Sequence, residues 1–204
     1  QKTAAAAAVA LGRIGNSEAV TALRGLLKKS QPSVKEAAAS GRRACAERLE
    51  RASAVIDAAV LYDVVLTAYP ASPAPSRASA NIRPAAFRGK LSTTVRGGRE
   101  LVLKALGGKD FSLHSPAISM VPRYFDGAAI AEFTPLFAGL PEQSRIELVA
   151  VLSGYPNDTA RDTLMTALED ASPLVRTEAL RGLGTIGGSA SVERLARAAA
   201  VSSG

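Results

Sequence analysis

Apolar residues recur every three or four positions along most of the chain, the spacing that places them on one face of an α-helix. The clearest example is residues 173–187, PLVRTEALRGLGTIG. Proline is tolerated in the first turn of a helix because the N–H there has no helical partner, and glycine favours a helix end. The segment therefore predicts an amphipathic helix whose apolar stripe consists of Val175, Ala179, Leu180, Leu183 and Ile186.

Similar segments occur elsewhere in the chain: LGRIG at residues 11–15 and, with weaker similarity, PSVKEAAAS at residues 32–40. Glycines, prolines and capping residues separate the helical segments, so we predict a series of hairpins, each made of a first and a second helix. The predicted second helices are residues 2–14, 32 onward, 84–96, 115–124 with a kink at Pro122, 141–154 and 173–186. The predicted first helices are residues 17–29, 53–69, 99–106, 127–140, 158–169 and 191–200.

The first helices start near residues 17, 53, 98, 127, 157 and 191, a period of about thirty-odd residues once one insertion is set aside. That insertion is residues 70–83, a Pro-rich segment that we predict to be a loop. We expect residues 1–204 to form a single repeat array. Its end helices lack partners, so we expect either a piece of a longer chain or end-to-end association.

Composition supports helices and limits the chemistry. The chain is rich in alanine and has no tryptophan, which suits close packing of helices better than a bulky β core. Cys45 is the single cysteine and reads as a small core residue. We expect no membrane span, because no run of about twenty uncharged apolar residues is present.

A hairpin of this period, whose second helix reads Pro-x-Val-Arg-x-x-Ala-x-x-x-Leu-Gly-x-Ile-Gly, resembles the HEAT repeat, in particular the bacterial type also found in phycobilisome lyase subunits. The resemblance is strongest at residues 173–187, is weaker at residues 4–35 and is only rhythmic at residues 53–154. It implies an all-α fold, an α-α superhelix or solenoid of helical hairpins whose second helices line the concave side. It also implies that the aspartate before the proline and the arginine after the valine form bonds along the array. In this chain these residues are Asp170 and Arg176, and Lys35 corresponds to the arginine less clearly.

Charge is distributed unevenly along the chain. Residues 1–109 contain 18 Lys and Arg against 7 Asp and Glu, whereas residues 110–204 contain 7 against 11. If the bases of neighbouring second helices converge on the concave surface, they would attract an acidic peptide or a phosphate backbone. The candidate residues of this basic groove are Lys35, Arg42, Arg88, Lys90 and Arg96; the alternative is that they are spread around each helix as solubilising charge.

The sequence offers no set of residues that indicates catalysis. The single histidine, His114, precedes a predicted second helix, where we expect it to cap or pack. Without a second histidine, a cysteine pair or a nucleophile elbow, we expect no catalytic site, no metal and no cofactor. We therefore expect a scaffold that binds a partner protein. The alternatives are DNA binding by the basic half, as in HEAT-like alkylpurine DNA glycosylases, and a chromophore-lyase subunit, which rests on the family likeness alone.

Overall fold

The computed structural model describes residues 2–28, 31–69, 80–188, 191, 192 and 196 of the chain, and these residues contain no β-strand. The fold is all-α and of the helical-hairpin solenoid class, as predicted. The α-helices are α1 Lys2–Ile14, α2 Ser17–Lys28, α3 Pro32–Arg51, α4 Val55–Ala68, α5 Ile82–Thr93, α6 Gly98–Leu106, α7 His114–Ser119, α8 Val121–Tyr124, α9 Thr134–Phe137, α10 Glu142–Leu152, α11 Asp158–Ala167 and α12 Pro173–Ile186. Short 3-10 helices at Phe111–Leu113 and Ala129–Phe133 precede α7 and α9.

The chain forms two compact units, residues 1–98 and residues 99–204. In the first unit the second helices α1, α3 and α5 pack side by side, and the first helices α2 and α4 pack against them. In the second unit α7, α10 and α12 are the successive second helices, and α11 packs against α10 and α12. The second helix α3, for example, contacts the first helices α2 and α4 and the second helices α1 and α5.

Most helix positions agree with the sequence prediction. Helices α1 and α12 have the predicted bounds, and α3 runs on to Arg51, longer than its counterparts. Cys45 is buried, as predicted, and burial raises the pKa of its thiol. The predicted loop at residues 70–83 lies outside the described residues from 70 to 79, and its last two residues belong to α5.

Three local predictions are wrong. The expected kink at Pro122 is a complete break, because a turn at Met120 separates α7 from α8. The first helix expected at 127–140 is a 3-10 helix followed by the single turn of α9, with Pro135 in that turn. The second helix expected at residues 84–96 ends early, at Thr93, and Val95 beyond it is 89% exposed. Most of the last predicted helix, residues 191–200, lies outside the described residues.

Side-chain caps fix where several helices begin. Asn16 Oδ1 accepts the N–H of Ala19 at the start of α2, and Asn157 Oδ1 accepts the N–H of Ala160 in α11. Such caps satisfy N–H groups that have no partner within the helix. The Asn157 amide also donates to the carbonyl of Gly127, 3.1 Å away, so the cap of α11 is tied to the loop before the preceding first helix.

Glycine allows the second helices to approach each other closely. Gly41 in α3 and Gly182 in α12 both lie nine residues after the proline that opens their helix. A Cβ at Gly41 would lie 2.5 Å from the carbonyl oxygen of Ala8 in α1, and a Cβ at Gly182 would lie 2.3 Å from Ser153 Oγ, just after α10. In both units this position therefore packs against the preceding second helix with no room for a side chain.

The carboxylate of Glu50, near the C-terminal end of α3, joins three helices. Glu50 accepts hydrogen bonds from the Tyr62 hydroxyl of α4, at 2.8 Å, and from Ser92 Oγ of α5, at 2.6 Å. The Tyr62 ring lies against Gly89, where a Cβ would be only 2.2 Å from Cζ. Burial, reinforced by the Glu50 carboxylate, raises the pKa of Tyr62.

Replacing Gly41 by alanine should destabilise the chain. Alanine is the better helix former, but its Cβ would overlap the backbone carbonyl of Ala8 in α1 and crowd Leu23 of α2, so we expect a net loss of about 1–3 kcal/mol in the free energy of unfolding. Gly25→Ala in α2 is the matched control, because no atom lies within 4 Å of its Cβ position; we expect it to gain roughly 0.5–1 kcal/mol. Urea unfolding followed by circular dichroism measures both, and equal midpoints for the two variants would contradict the close packing of α1 and α3.

Candidate interaction surfaces

An ion pair joins two consecutive second helices of the second unit. Arg145, near the start of α10, places Nε 2.8 Å from Asp170 Oδ2 and Nη2 3.1 Å from Oδ1, and the two side chains are 17% and 10% exposed. Arg145 Nη1 also donates to the carbonyl of Leu140, and Asp170 Oδ1 accepts the N–H of Ser172. A two-point pair of this kind fixes orientation as well as distance, so it holds α10 in register with the loop that leads into α12.

The residue that pairs with Asp170 is therefore Arg145 and not the expected Arg176. Arg176 donates from Nη1 to the backbone carbonyls of Asp170 and Ala171, at 2.8 and 3.0 Å, and no bond joins it to the Asp170 carboxylate. Sequence reasoning missed Arg145 because it follows Pro141 by four residues, whereas Arg176 follows Pro173 by three. A search for any arginine in the first turn of a second helix, at whatever distance from the proline, would have identified Arg145.

Arg42 of the predicted basic groove lies in the interior of the first unit. Its side chain is 0% exposed, and Nη2 donates to the carbonyl of Val20 in α2 at 3.3 Å, whereas Nε and Nη1 have no hydrogen-bond partner. Burial, together with the nearby positive charge of Arg24, lowers the pKa of Arg42. Arg42 is therefore directed towards the first helix α2 and is closed to solvent.

The other predicted groove residues are not gathered on one surface either. Lys90 of α5 forms an ion pair with Asp63 of the first helix α4. Lys35 is half-buried in the first turn of α3, Arg88 is exposed on α5, and Arg96 is exposed in the turn after α5. Two of the five bases thus contact first helices, and the structure does not bring the five together.

The histidine lies in a packed junction of the second unit. His114 is 2% exposed at the start of α7, its Nδ1 lies 3.0 Å from Ser144 Oγ in α10, and its ring meets that of Phe111 edge to face. Burial lowers its pKa, although the backbone of Gly108 acts in the opposite direction. A neutral imidazole held against a buried serine joins α7 to α10, consistent with the packing role expected for it.

Neither a metal-binding cluster nor a membrane-spanning helix is found in the described part of the chain. Among those residues no group of three or more His, Cys, Asp or Glu could hold a metal ion. No helix there is long and apolar enough to cross a bilayer.

Removing the Arg145–Asp170 pair should lower stability. Because the pair is mostly buried and combines a hydrogen bond from Nη2 with a second close contact at Nε, we expect Arg145→Ala and Asp170→Asn each to lose about 1.5–3 kcal/mol, and the double variant to lose less than their sum. The control is Arg181→Ala, which removes an exposed pair with Glu178 on α12 and should change stability by less than about 1 kcal/mol. Strictly additive losses in urea unfolding would mean that the two side chains do not interact.

The stability of the second unit should depend on the ionisation of His114. Because its pKa is lowered in the folded chain, the unfolded chain binds the proton more readily; stability should be complete above about pH 6.5 and fall as the pH drops below that value. The nearby carboxylates Asp110 and Glu147 moderate this loss without reversing it. The urea midpoint should fall more between pH 7.5 and 5.5 in the natural chain than in His114→Gln, and an equal fall in both would contradict the assignment.

Comparison with known proteins agrees with this architecture. Residues 132–203 match the family model described as HEAT repeats, and residues 3–29 match the one described as PBS lyase HEAT-like repeat. These two matches do not include residues 30–131. In much of that segment the spacing of the helices is repeated but the sequence motif is not. A search of curated proteins finds no match. The matched segments contain most of α1 and all of α2, α10, α11 and α12, whose packing in hairpins is described above, and in these segments the chain is similar to HEAT repeats.

Proposed function

We propose that the chain is a non-catalytic scaffold that binds a partner protein through the surface formed by its second helices. The observation that carries this proposal is the side-by-side packing of α1, α3 and α5 in the first unit and of α7, α10 and α12 in the second. HEAT repeats typically serve as protein-interaction scaffolds, and parallel helices of this kind offer a broad ridged surface.

The second helices carry side chains of both signs of charge. Arg43 and Glu47 pair with each other along α3, and Gln143 donates to Glu147 on α10. Arg88 adds an exposed positive charge on α5. Mixed charge favours recognition of a folded protein partner over that of a uniform polyanion. No observation favours the DNA-binding alternative, because the basic groove on which it rested is not assembled.

A photo-cross-linking amino acid placed at single positions tests which face meets the partner. Arg88 on α5 and Gln143 on α10 report on the second helices, and Thr67 on α4 and Asp162 on α11 are exposed controls on first helices. In cells that produce the protein, we expect one discrete protein adduct from the two second-helix positions and none from the controls.

Two results would contradict the proposal. One is the absence of any protein adduct at Arg88 and Gln143 although all four variants fold with the same circular dichroism spectrum. The other is a partner captured only from Thr67 or Asp162, since these positions lie on the opposite helices of the hairpins.

A further inference from the structure

A groove lies between the first helices α2 and α4 of the first unit. Its volume is about 400 Å³, within the range of ligand-binding clefts. Leu49 of α3 and Leu61 of α4 line it, together with Val20 of α2 and Val60, which is 54% exposed. Ile56, 81% exposed, lies one turn before Val60 on α4. Exposed branched side chains beside an apolar cleft are typical of a surface that is covered by another molecule.

The two walls of the groove carry charges of opposite sign. Arg24 lines the α2 wall and Asp57 lines the α4 wall, and no ion pair within the described residues involves Arg24. Asp57 lies in the first turn of α4, where a carboxylate is favoured by the helix dipole. The α2 wall therefore offers a cation that nothing in the described chain neutralises.

The buried Arg42 lies directly behind that wall. It donates to the carbonyl of Val20, a residue of the groove, and Leu49, two turns along the same side of α3, forms part of the groove lining. Its Nε and Nη1 are buried without partners. An unpaired buried charge is unfavourable, and an anion bound near it reduces that penalty. Two guanidinium groups, Arg24 and Arg42, thus make the α2 side of the groove attractive to a carboxylate.

We infer that this groove binds an acidic linear peptide of a partner protein, with a large apolar side chain on Leu49, Val60 and Leu61 and an adjoining carboxylate at Arg24. The apolar lining fixes the side chain, Arg24 and the Arg42 behind it favour the acid, and Asp57 can accept hydrogen bonds from the peptide N–H groups. The groove is lined mainly by first helices, so it is a different surface from the one proposed above for the second helices.

The test uses a random twelve-residue peptide library displayed on phage and selected on the full chain. Enriched peptides should place Asp or Glu beside Leu, Ile or Phe. The best of them, synthesised with a fluorescent label, should bind Arg24→Glu and Val60→Asp about tenfold or more weakly than the natural chain. Arg181→Glu on the exposed face of α12 is the control and should leave the dissociation constant within about twofold. Replacing the peptide's acid by lysine should restore binding to Arg24→Glu.

A second variant separates recognition from folding. Arg42→Met removes a buried charge while keeping a long apolar side chain, so the free chain should keep or raise its urea midpoint while the peptide binds more weakly. A purely structural arginine would lower the midpoint and leave the affinity alone. That result overturns the inference, as do a failure to enrich any peptide, enriched peptides without an acid, and equal affinity for Arg24→Glu and the natural chain. Cross-links from Arg88 and Gln143 are unaffected by Arg24→Glu if the second-helix surface acts on its own.

Discussion

In the first unit, α1 and α3 pack so closely that their backbones meet, and the packing of that unit depends on this contact. At the crossing of α1 and α3, a Cβ on Gly12 would lie 2.6 Å from the Cα of Gly41. Neither residue can carry a side chain there, so the two helices approach until their main chains touch. The position of Gly41 returns as Gly182 in α12, where the preceding second helix and a leucine of the first helix are again the neighbours. The neighbour is the backbone of Ala8 at Gly41 and the side chain of Ser153 at Gly182, and in both places the close packing leaves no room for a side chain on the glycine.

Polar bonds then fix the register that close packing leaves free. Apolar contact is not directional, and helices packed on small side chains can slide along each other. The Arg145–Asp170 pair and the bonds of Glu50 to Tyr62 and Ser92 are directional, and each joins a second helix to a neighbouring helix. Arg42 does not add to this register in the same way, because its Nε and Nη1 are buried without hydrogen-bond partners. An unpaired buried charge is unfavourable to the folded chain.

The sequence predicts helices well where their start and end signals are local. The bounds of α1 and α12 follow from proline, glycine and capping residues, and the two stretches in which the HEAT-like sequence is clearest are those that match HEAT-repeat models. The prediction fails where a few residues compete: prolines in and beside short segments divide α7 from α8 and turn much of the helix before α10 into a 3-10 helix.

The candidate site was harder to predict, for a geometric reason. Helical period tells which residues share a face, but it does not tell which neighbour that face meets. Arg42 and Lys90 were therefore grouped with Arg88, although they contact α2 and α4. Asp170 was grouped with Arg176, whereas its carboxylate pairs with Arg145, which lies one position beyond the residue of α10 equivalent to Arg176. The α2–α4 groove has no sequence signature at all, since its lining comes from three helices.

One nuclear magnetic resonance measurement tests the central contact most directly. If α1 and α3 touch through their backbones, the α-protons of Gly12 and Gly41 lie within a few ångströms of each other, about the sum of their van der Waals radii. We expect a strong nuclear Overhauser effect between them in the assigned spectrum of the full chain. Its absence, with both resonances assigned and sharp, would show that the two helices are held apart and would contradict the packing from which the account is built.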